Sequence, residues 1–111
     1  MKHFQFIGII IIGLFCFSAQ SFGQDTGPDG NALFQKKLCH TCHGKTGKTP
    51  YPNYPNLAGH DALYIVNQFS DIQAKLRNNG LTLLMNVFPT VKTISRSEIF
   101  KIADHLSKLP D

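Results

Sequence analysis

The sequence predicts a small all-α protein with one folded domain. Three segments carry apolar residues at helical spacing, and each of them follows a side chain that can cap a helix. The apolar run over residues 81–93 contains Pro89 and has no second strand to pair with, so a sheet is not expected. A chain of 111 residues with 42% hydrophobic and 16% charged residues is too short for a multidomain enzyme and too apolar for a disordered tail.

Residues 1–23 have the order of a secretory signal. Lys2 precedes an apolar stretch from Phe4 to Phe17, and small residues lead up to Gly23. The stretch is shorter than the roughly 20 residues that a membrane-spanning helix needs, so we expect cleavage after Gly23 and export to the periplasm. Contact with a membrane is expected only if this segment is retained as an anchor. Residues 24–29 then form a linker, and residues 30–111 form the folded domain.

The first helix is predicted over residues 30–41, with Asp29 as its N-cap. Residues 44–59 follow, with three prolines, three glycines and no hydrophobic periodicity, which predicts a long loop. Loops of this length in a compact domain commonly surround a functional site.

The second helix is predicted over residues 61–76, with Asp61 as its cap. Residues 81–93 are predicted to be a loop with at most one helical turn. Ser95 and Glu98 have the spacing of a capping box and mark the start of the last helix. The second helix is expected to bury an apolar face made of Leu63, Val66 or Tyr64, Phe69, Ile72 and Leu76. The last helix is expected to bury one made of Ile99, Ile102, Ala103, Leu106 and Leu109.

The residues that carry chemistry lie at the end of the first helix. Cys39-His40-Thr41-Cys42-His43 is a C-x-x-C-H motif in a chain with an export signal. Two thiols three positions apart can each bond one vinyl group of a haem, and the adjacent His43 can then present its imidazole to the iron. The motif therefore predicts one covalently attached haem c.

Three other uses of the cysteines fit the sequence less well. A redox dithiol is typical of a βαβ context, which the sequence lacks. A structural zinc site needs four ligands, and no second cysteine pair is present. A plain disulfide suits an oxidising compartment, but it gives the Pro-rich loop nothing to surround.

Met85 is the candidate for the sixth iron ligand. It is the one methionine that remains after removal of the signal, and it lies well after His43 in the chain. His60 is the competing ligand, and filling a gap in the core is the competing role for Met85. His105 is expected to be a partly buried residue of the last helix.

The chain resembles the class I c-type cytochromes, in particular the small periplasmic carriers that occur alone or as halves of two-haem proteins. The resemblance covers residues 28–110 and rests on the C-x-x-C-H motif followed by Gly44, on Pro55-Asn56-Leu57-Ala58-Gly59, on residues 64–69, on Met85 and on the final helix. It implies crossed first and last helices and a haem in a cleft. It also implies that His43 is the proximal ligand, that the Pro55 carbonyl accepts its ring proton, that Leu57 packs on the haem face, and that Met85 ligates the iron.

An iron with two protein ligands has no open position for a substrate, so the expected function is electron transfer rather than enzymatic catalysis. The alternatives are a cytochrome subunit of a larger oxidoreductase and a gas-binding haem protein with a weak sixth ligand. A formal net charge of +4 without a basic run argues against nucleic-acid binding. Redox partners with acidic docking surfaces are expected, recognised by the lysines near the attachment motif: Lys36, Lys37, Lys45 and Lys48.

Overall fold

The computed structural model describes residue 13 and residues 27–111, and the predicted signal segment otherwise lies outside the described residues. Within this part the chain folds into six helices without a β-strand, which confirms the all-α class. None of these helices is long and apolar enough to cross a membrane. The helices are α1 (Gly30–Lys36), α2 (His40–His43), α3 (Ala62–Gln73), α4 (Thr82–Val87), α5 (Pro89–Thr93) and α6 (Arg96–Ser107).

Helices α1 and α6, the first and last of the described chain, pack directly against each other. Gly30 makes their close approach possible, because a Cβ atom at this position would lie 2.7 Å from the Cβ of His105 and would collide with the carbonyl of Lys101. Asp29 caps α1 as predicted, since its carboxylate accepts a hydrogen bond of 2.7 Å from the Ala32 N–H. The contact at Gly30 places the start of α1 against the C-terminal half of α6.

The hydrophobic core lies between α1, α3 and α6, and α3 and α6 each contribute four buried residues to it. The predicted capping box of α6 is confirmed, because Ser95 accepts from the Glu98 N–H and Glu98 accepts from the Ser95 N–H. Val91 of α5 and the C-cap residue of that helix, Ile94, complete the core. The core cluster consists of Leu33, Phe34, Ile65, Val66, Phe69, Ile72, Val91, Ile94, Ile99, Ile102, Ala103 and Leu106.

The first helix is shorter than the predicted segment 30–41. Helix α1 ends at Lys36, and Leu38 has a φ of 63°, in the left-handed region that leucine seldom adopts. The chain turns there and then forms the separate turn α2. The prediction of one helix was wrong because helical spacing of apolar residues does not reveal a reversal at a single leucine.

The second helix also differs from the predicted segment 61–76, although Asp61 caps it as expected by accepting from the Tyr64 N–H. Helix α3 ends at Gln73, because Lys75 has a φ of 59° and the Leu76 N–H turns back to the Asp71 carbonyl at 2.8 Å. The expected apolar face is correct only in its middle. Val66, Phe69 and Ile72 are buried together with Ile65, whereas Leu63, Tyr64 and Leu76 are exposed.

Residues 81–93 were predicted as a loop with one turn, and the structure has two short helices there. Phe88 separates α4 from α5 in an extended conformation, and Pro89 is the first residue of α5. Proline suits this position because it needs no N–H partner there and its φ is already helical. The residue that interrupts the apolar run in the sequence therefore starts a helix.

Candidate functional site

The attachment motif forms a compact turn between α1 and the long loop. Cys39 is the N-cap residue of α2, and Cys42 and His43 lie within that helix. Both cysteines are free and half-buried, and both line one large cavity. Burial is the main cause that raises the pKa of the Cys39 thiol to about 11, so the thiol is neutral at physiological pH. The spacing thus brings two sulfur atoms to the wall of a single cavity.

His43 is buried and its ring is oriented by the long loop. Its Nδ1 atom lies 3.0 Å from the carbonyl oxygen of Pro55, a geometry in which Nδ1–H donates and Nε2 keeps its lone pair. Desolvation lowers the pKa of His43, against the opposing effect of the Pro55 carbonyl. A neutral imidazole with a free Nε2 is the form that binds a metal.

The long loop is held in place by hydrogen bonds that bring its two ends together. The Gly47 carbonyl accepts from the Leu57 N–H at 2.7 Å and from the Ala58 N–H at 3.1 Å. The Thr49 hydroxyl donates to the Cys42 carbonyl at 2.8 Å, and the Thr49 N–H donates to Asn56 Oδ1 at the same distance. The position of the Pro55 carbonyl beside His43 is therefore fixed by the loop as a whole.

The cavity has a volume of about 800 Å³ and opens between the attachment turn and the segment 77–91. Such a volume lies in the range of about 300–1,000 Å³ found for cofactor sites. Both cysteines and His43 line it from the proximal side. Apolar residues from the other side complete its wall: Ile72, Leu81, Leu84, Val87, Phe88 and Val91.

Met85 lines the same cavity as His43. It is half-buried on α4 and also contacts the hydrophobic core. Its thioether sulfur is a soft, neutral ligand of the kind that haem iron accepts. The structure thus brings five of the six residues singled out from the sequence to one cavity: Cys39, Cys42, His43, Pro55 and Met85.

Leu57 and the two remaining histidine candidates lie elsewhere. Leu57 is half-buried and packs on the hydrophobic core outside the cavity wall, so its contact with a haem face stays a prediction. His60 is exposed, its ring centroid lies 5.8 Å from that of Tyr64, and it does not line the cavity. His105 is half-buried where α1 and α6 cross.

Several polar residues at the cavity were not singled out as part of the site from the sequence. The ring of Tyr54 lies with its centroid 6.4 Å from that of His43, and Arg77, Thr90 and Lys37 line the same cavity. Tyr54 directly precedes Pro55, and this adjacency is the one signal that could have pointed to it. Arg77 and Thr90 come near only through tertiary packing.

The cavity fits a haem in its donor set and in its lining. A haem c needs two thiols at fixed separation, a neutral imidazole, a second axial ligand and apolar walls, and the residues described above supply all of these. In the described part of the chain no group of three or more His, Cys, Asp or Glu side chains is suited to a metal ion.

No curated protein matches the chain. The sequence model of the family described as "Cytochrome c" matches residues 28–110, which is well over half of the chain. This match agrees with the all-α architecture and confirms the resemblance stated from the motifs. The protein therefore belongs to the cytochrome c family, which carries a covalently attached haem c and uses it in electron transfer, and Cys39 and Cys42 fit the C-x-x-C-H motif of that family.

Proposed function

We propose that this protein is an exported carrier of single electrons, rather than an enzyme, with one haem c ligated by His43 and Met85. The observation that carries the proposal is that one cavity is lined by Cys39, Cys42, His43 and Met85 together. The proposed compartment is the periplasm, because the signal-like segment 1–23 precedes the domain.

Each of the four residues has a distinct role in this proposal. Cys39 and Cys42 bond the vinyl groups as thioethers and prevent loss of the cofactor. His43 binds the iron through Nε2 while the Pro55 carbonyl holds its other ring nitrogen at 3.0 Å. Met85 occupies the sixth position through its sulfur. The iron of such a haem alternates between Fe(III) and Fe(II) and supplies one electron at a time.

The ligand pair also indicates the direction of the reduction potential. A thioether is a neutral ligand that stabilises Fe(II), so the potential should lie above that of a site with two histidines. Two protein ligands leave no coordination position for a substrate, which favours electron transfer over catalysis or gas binding. The apolar residues Leu84 and Phe88 line the same space.

We also propose that redox partners dock through an acidic surface. Lys36, Lys45 and Lys48 are exposed near the attachment turn, and their charges are available to attract a partner. Lys37 differs from them, because its ammonium lies 3.2 Å from the Glu98 carboxylate and is largely neutralised there. The docking proposal therefore rests on three of the four lysines predicted from the sequence.

A redox titration with and without carbon monoxide tests the carrier function. The reduced protein should take part in a reversible one-electron couple and should leave carbon monoxide unbound, because Met85 occupies the sixth position. Rapid, tight binding of carbon monoxide to the reduced protein would instead favour a gas-binding haem with an open site.

The attachment is tested separately with a double variant, Cys39→Ser with Cys42→Ser. It should carry no haem on a denaturing gel stained for the cofactor. Thr41→Ser is the matched control, because it lies in the same turn and retains the hydroxyl that donates to the Leu38 carbonyl at 2.6 Å. Haem that stays bound to the double variant through denaturation would contradict the attachment.

A further inference from the structure

Helix α4, which carries Met85, depends for its position mainly on contacts with neighbouring segments of the chain. Helix α4 has no buried residue, and α4 and α5 have only six and five residues. Helices this short are not stable on their own. At its start, Thr82 donates through its N–H and its hydroxyl to the Asn79 carbonyl, and a long hydrogen bond of 3.4 Å runs from Asn86 Nδ2 to the Arg77 carbonyl. Both carbonyls belong to the exposed segment just before α4, so the position of Met85 depends in large part on how α5, the next helix, is anchored.

Helix α5 is anchored on two sides. Val91 and the C-cap residue Ile94 are buried in the core, and Gln73 Nε2 donates to their carbonyls at 2.7 and 2.9 Å. These bonds attach α5 to α3. On the other side, the Thr90 hydroxyl donates to the Lys37 carbonyl at 2.8 Å. This second anchor connects α5 to a residue 53 positions earlier in the chain.

Lys37, whose carbonyl accepts this hydrogen bond, lies next to the attachment turn and is itself held by two interactions. Its N–H donates to the Leu33 carbonyl at 2.8 Å, and its ammonium pairs with Glu98 on α6. It is followed by Leu38, where the chain reverses, and then by Cys39. Thr90 and Lys37 both line the cavity, Lys37 next to the attachment turn and Thr90 on the helix that follows the one carrying Met85. Their hydrogen bond therefore joins these two sides of the cavity directly.

We propose that Thr90 is a positioning residue for the sixth iron ligand. By binding the Lys37 carbonyl, its hydroxyl fixes the separation between the attachment turn and the segment that carries Met85. This inference rests on the proposed ligation by Met85. A thioether is a weak ligand, so its bond to the iron depends on how accurately the protein holds the sulfur in place. Loosening the segment lowers the occupancy of the sixth position and lets an external ligand compete.

The decisive variant is Thr90→Val, which keeps the shape of the side chain and removes its hydroxyl. Two controls accompany it: Thr90→Ser, which retains the donor, and Thr93→Val, which removes a hydroxyl that donates to the Thr90 carbonyl within α5 at 3.1 Å. The probe is carbon monoxide added to the reduced holoprotein. A second readout is the sulfur-to-iron charge-transfer band at the red end of the oxidised spectrum.

Thr90→Val should bind carbon monoxide about tenfold more tightly than the wild type, the factor expected when one hydrogen bond no longer favours the closed site. Its red band should be weaker, and both controls should resemble the wild type. If Thr90→Val does not fold, Thr90→Ala provides the same comparison without the β-branched methyl group.

Two results would overturn the inference, and they are distinguishable. If the wild type shows the red band and Thr90→Val has the same band and carbon monoxide affinity, the hydroxyl has no positioning role, even if thermal stability falls. If the wild type lacks the band and binds carbon monoxide as tightly as Met85→Ala does, ligation by Met85 fails, and the role of Thr90 fails with it.

Discussion

The imidazole of His43 and the carbonyl of Pro55 lie 3.0 Å apart, although the two residues are twelve positions apart in the chain. This hydrogen bond determines which ring nitrogen remains free for the iron. It depends on a loop that begins at Gly44 and returns at Leu57, closed by the Gly47 carbonyl. The conformation of the loop is therefore as important to the site as the histidine itself.

Gly44→Ala should be severely destabilising and should lower the yield of holoprotein. Gly44 has φ 79° and ψ 154°, a conformation that is essentially restricted to glycine, and a Cβ atom there would collide with the Lys48 carbonyl. We expect a loss of more than about 2 kcal/mol in the free energy of unfolding, because the collision adds to the backbone strain. Chemical denaturation of the purified holoprotein provides the measurement.

Gly80→Ala is the matched control for this effect. Gly80 also has a positive φ, 54°, but no atom lies within 4 Å of the added Cβ. The expected loss is only about 1 kcal/mol, the ordinary cost of a left-handed alanine. If Gly44→Ala and Gly80→Ala lost equal amounts of free energy of unfolding, the close packing around Gly44 would contribute nothing to stability.

Short-range features of the fold could be predicted from the sequence. The caps at Asp29, Asp61 and Ser95 depend on residues three positions away, so they can be read from the chain directly. The reversals at Leu38 and Lys75 could not, because neither residue type favours a positive φ.

The same distinction applies to the site. Cys39, Cys42 and His43 are adjacent in sequence, so their spacing alone indicates their chemistry. The Pro55 carbonyl was expected only through the family resemblance. The Thr90 hydroxyl reaches a carbonyl 53 residues away, and no periodicity or motif reports a contact of that kind.

Glu98→Gln should make stability less sensitive to acid. The Ser95 N–H, with help from Lys37, holds the pKa of Glu98 below its ordinary value of 4.5. A carboxyl with a lowered pKa stabilises the fold above the unfolded value, and this contribution is lost as the pH falls through the folded value. Below pH 4.5 the free energy of unfolding should therefore decrease less steeply in Glu98→Gln than in the wild type, as measured by denaturation at a series of pH values.

Glu98→Ala provides the comparison, because it loses the capping box as well as the charge. Glutamine can still accept from the Ser95 N–H, whereas alanine cannot. Glu98→Ala should therefore lose about 0.5–2 kcal/mol even at neutral pH, the usual range for loss of a cap. A wild-type acid profile in Glu98→Gln would contradict the assigned role of the carboxylate.

The exposed lysines should control the rate of reaction with anionic partners. Hexacyanoferrate(III) is a suitable probe, and its reaction with the reduced protein should slow as salt shortens the Debye length to about 8 Å at physiological ionic strength. Lys45→Gln with Lys48→Gln should reduce both the rate and its salt dependence. Lys37→Gln should change the rate less, because Glu98 already neutralises Lys37. Rates unaffected by salt or by the double variant would contradict the docking proposal.

The mature protein should begin at Gln24. Mass spectrometry of protein from the periplasmic fraction of an expressing bacterium provides the measurement, and Gly23→Phe, which replaces the small residue before the cleavage point, should leave the longer form. Recovery of the wild type with an intact Met1 in the membrane fraction would instead indicate a retained anchor.

The central claim, that His43 and Met85 together saturate the iron, is tested most directly by comparing the wild type with Met85→Ala. The oxidised wild type should show the sulfur-to-iron charge-transfer band, and its reduced form should leave carbon monoxide unbound. Met85→Ala should lose the band, bind carbon monoxide and have a lower reduction potential, because the neutral sulfur that stabilises Fe(II) is gone. A wild type without the band, and a Met85→Ala variant with unchanged potential and unchanged response to carbon monoxide, would contradict the account.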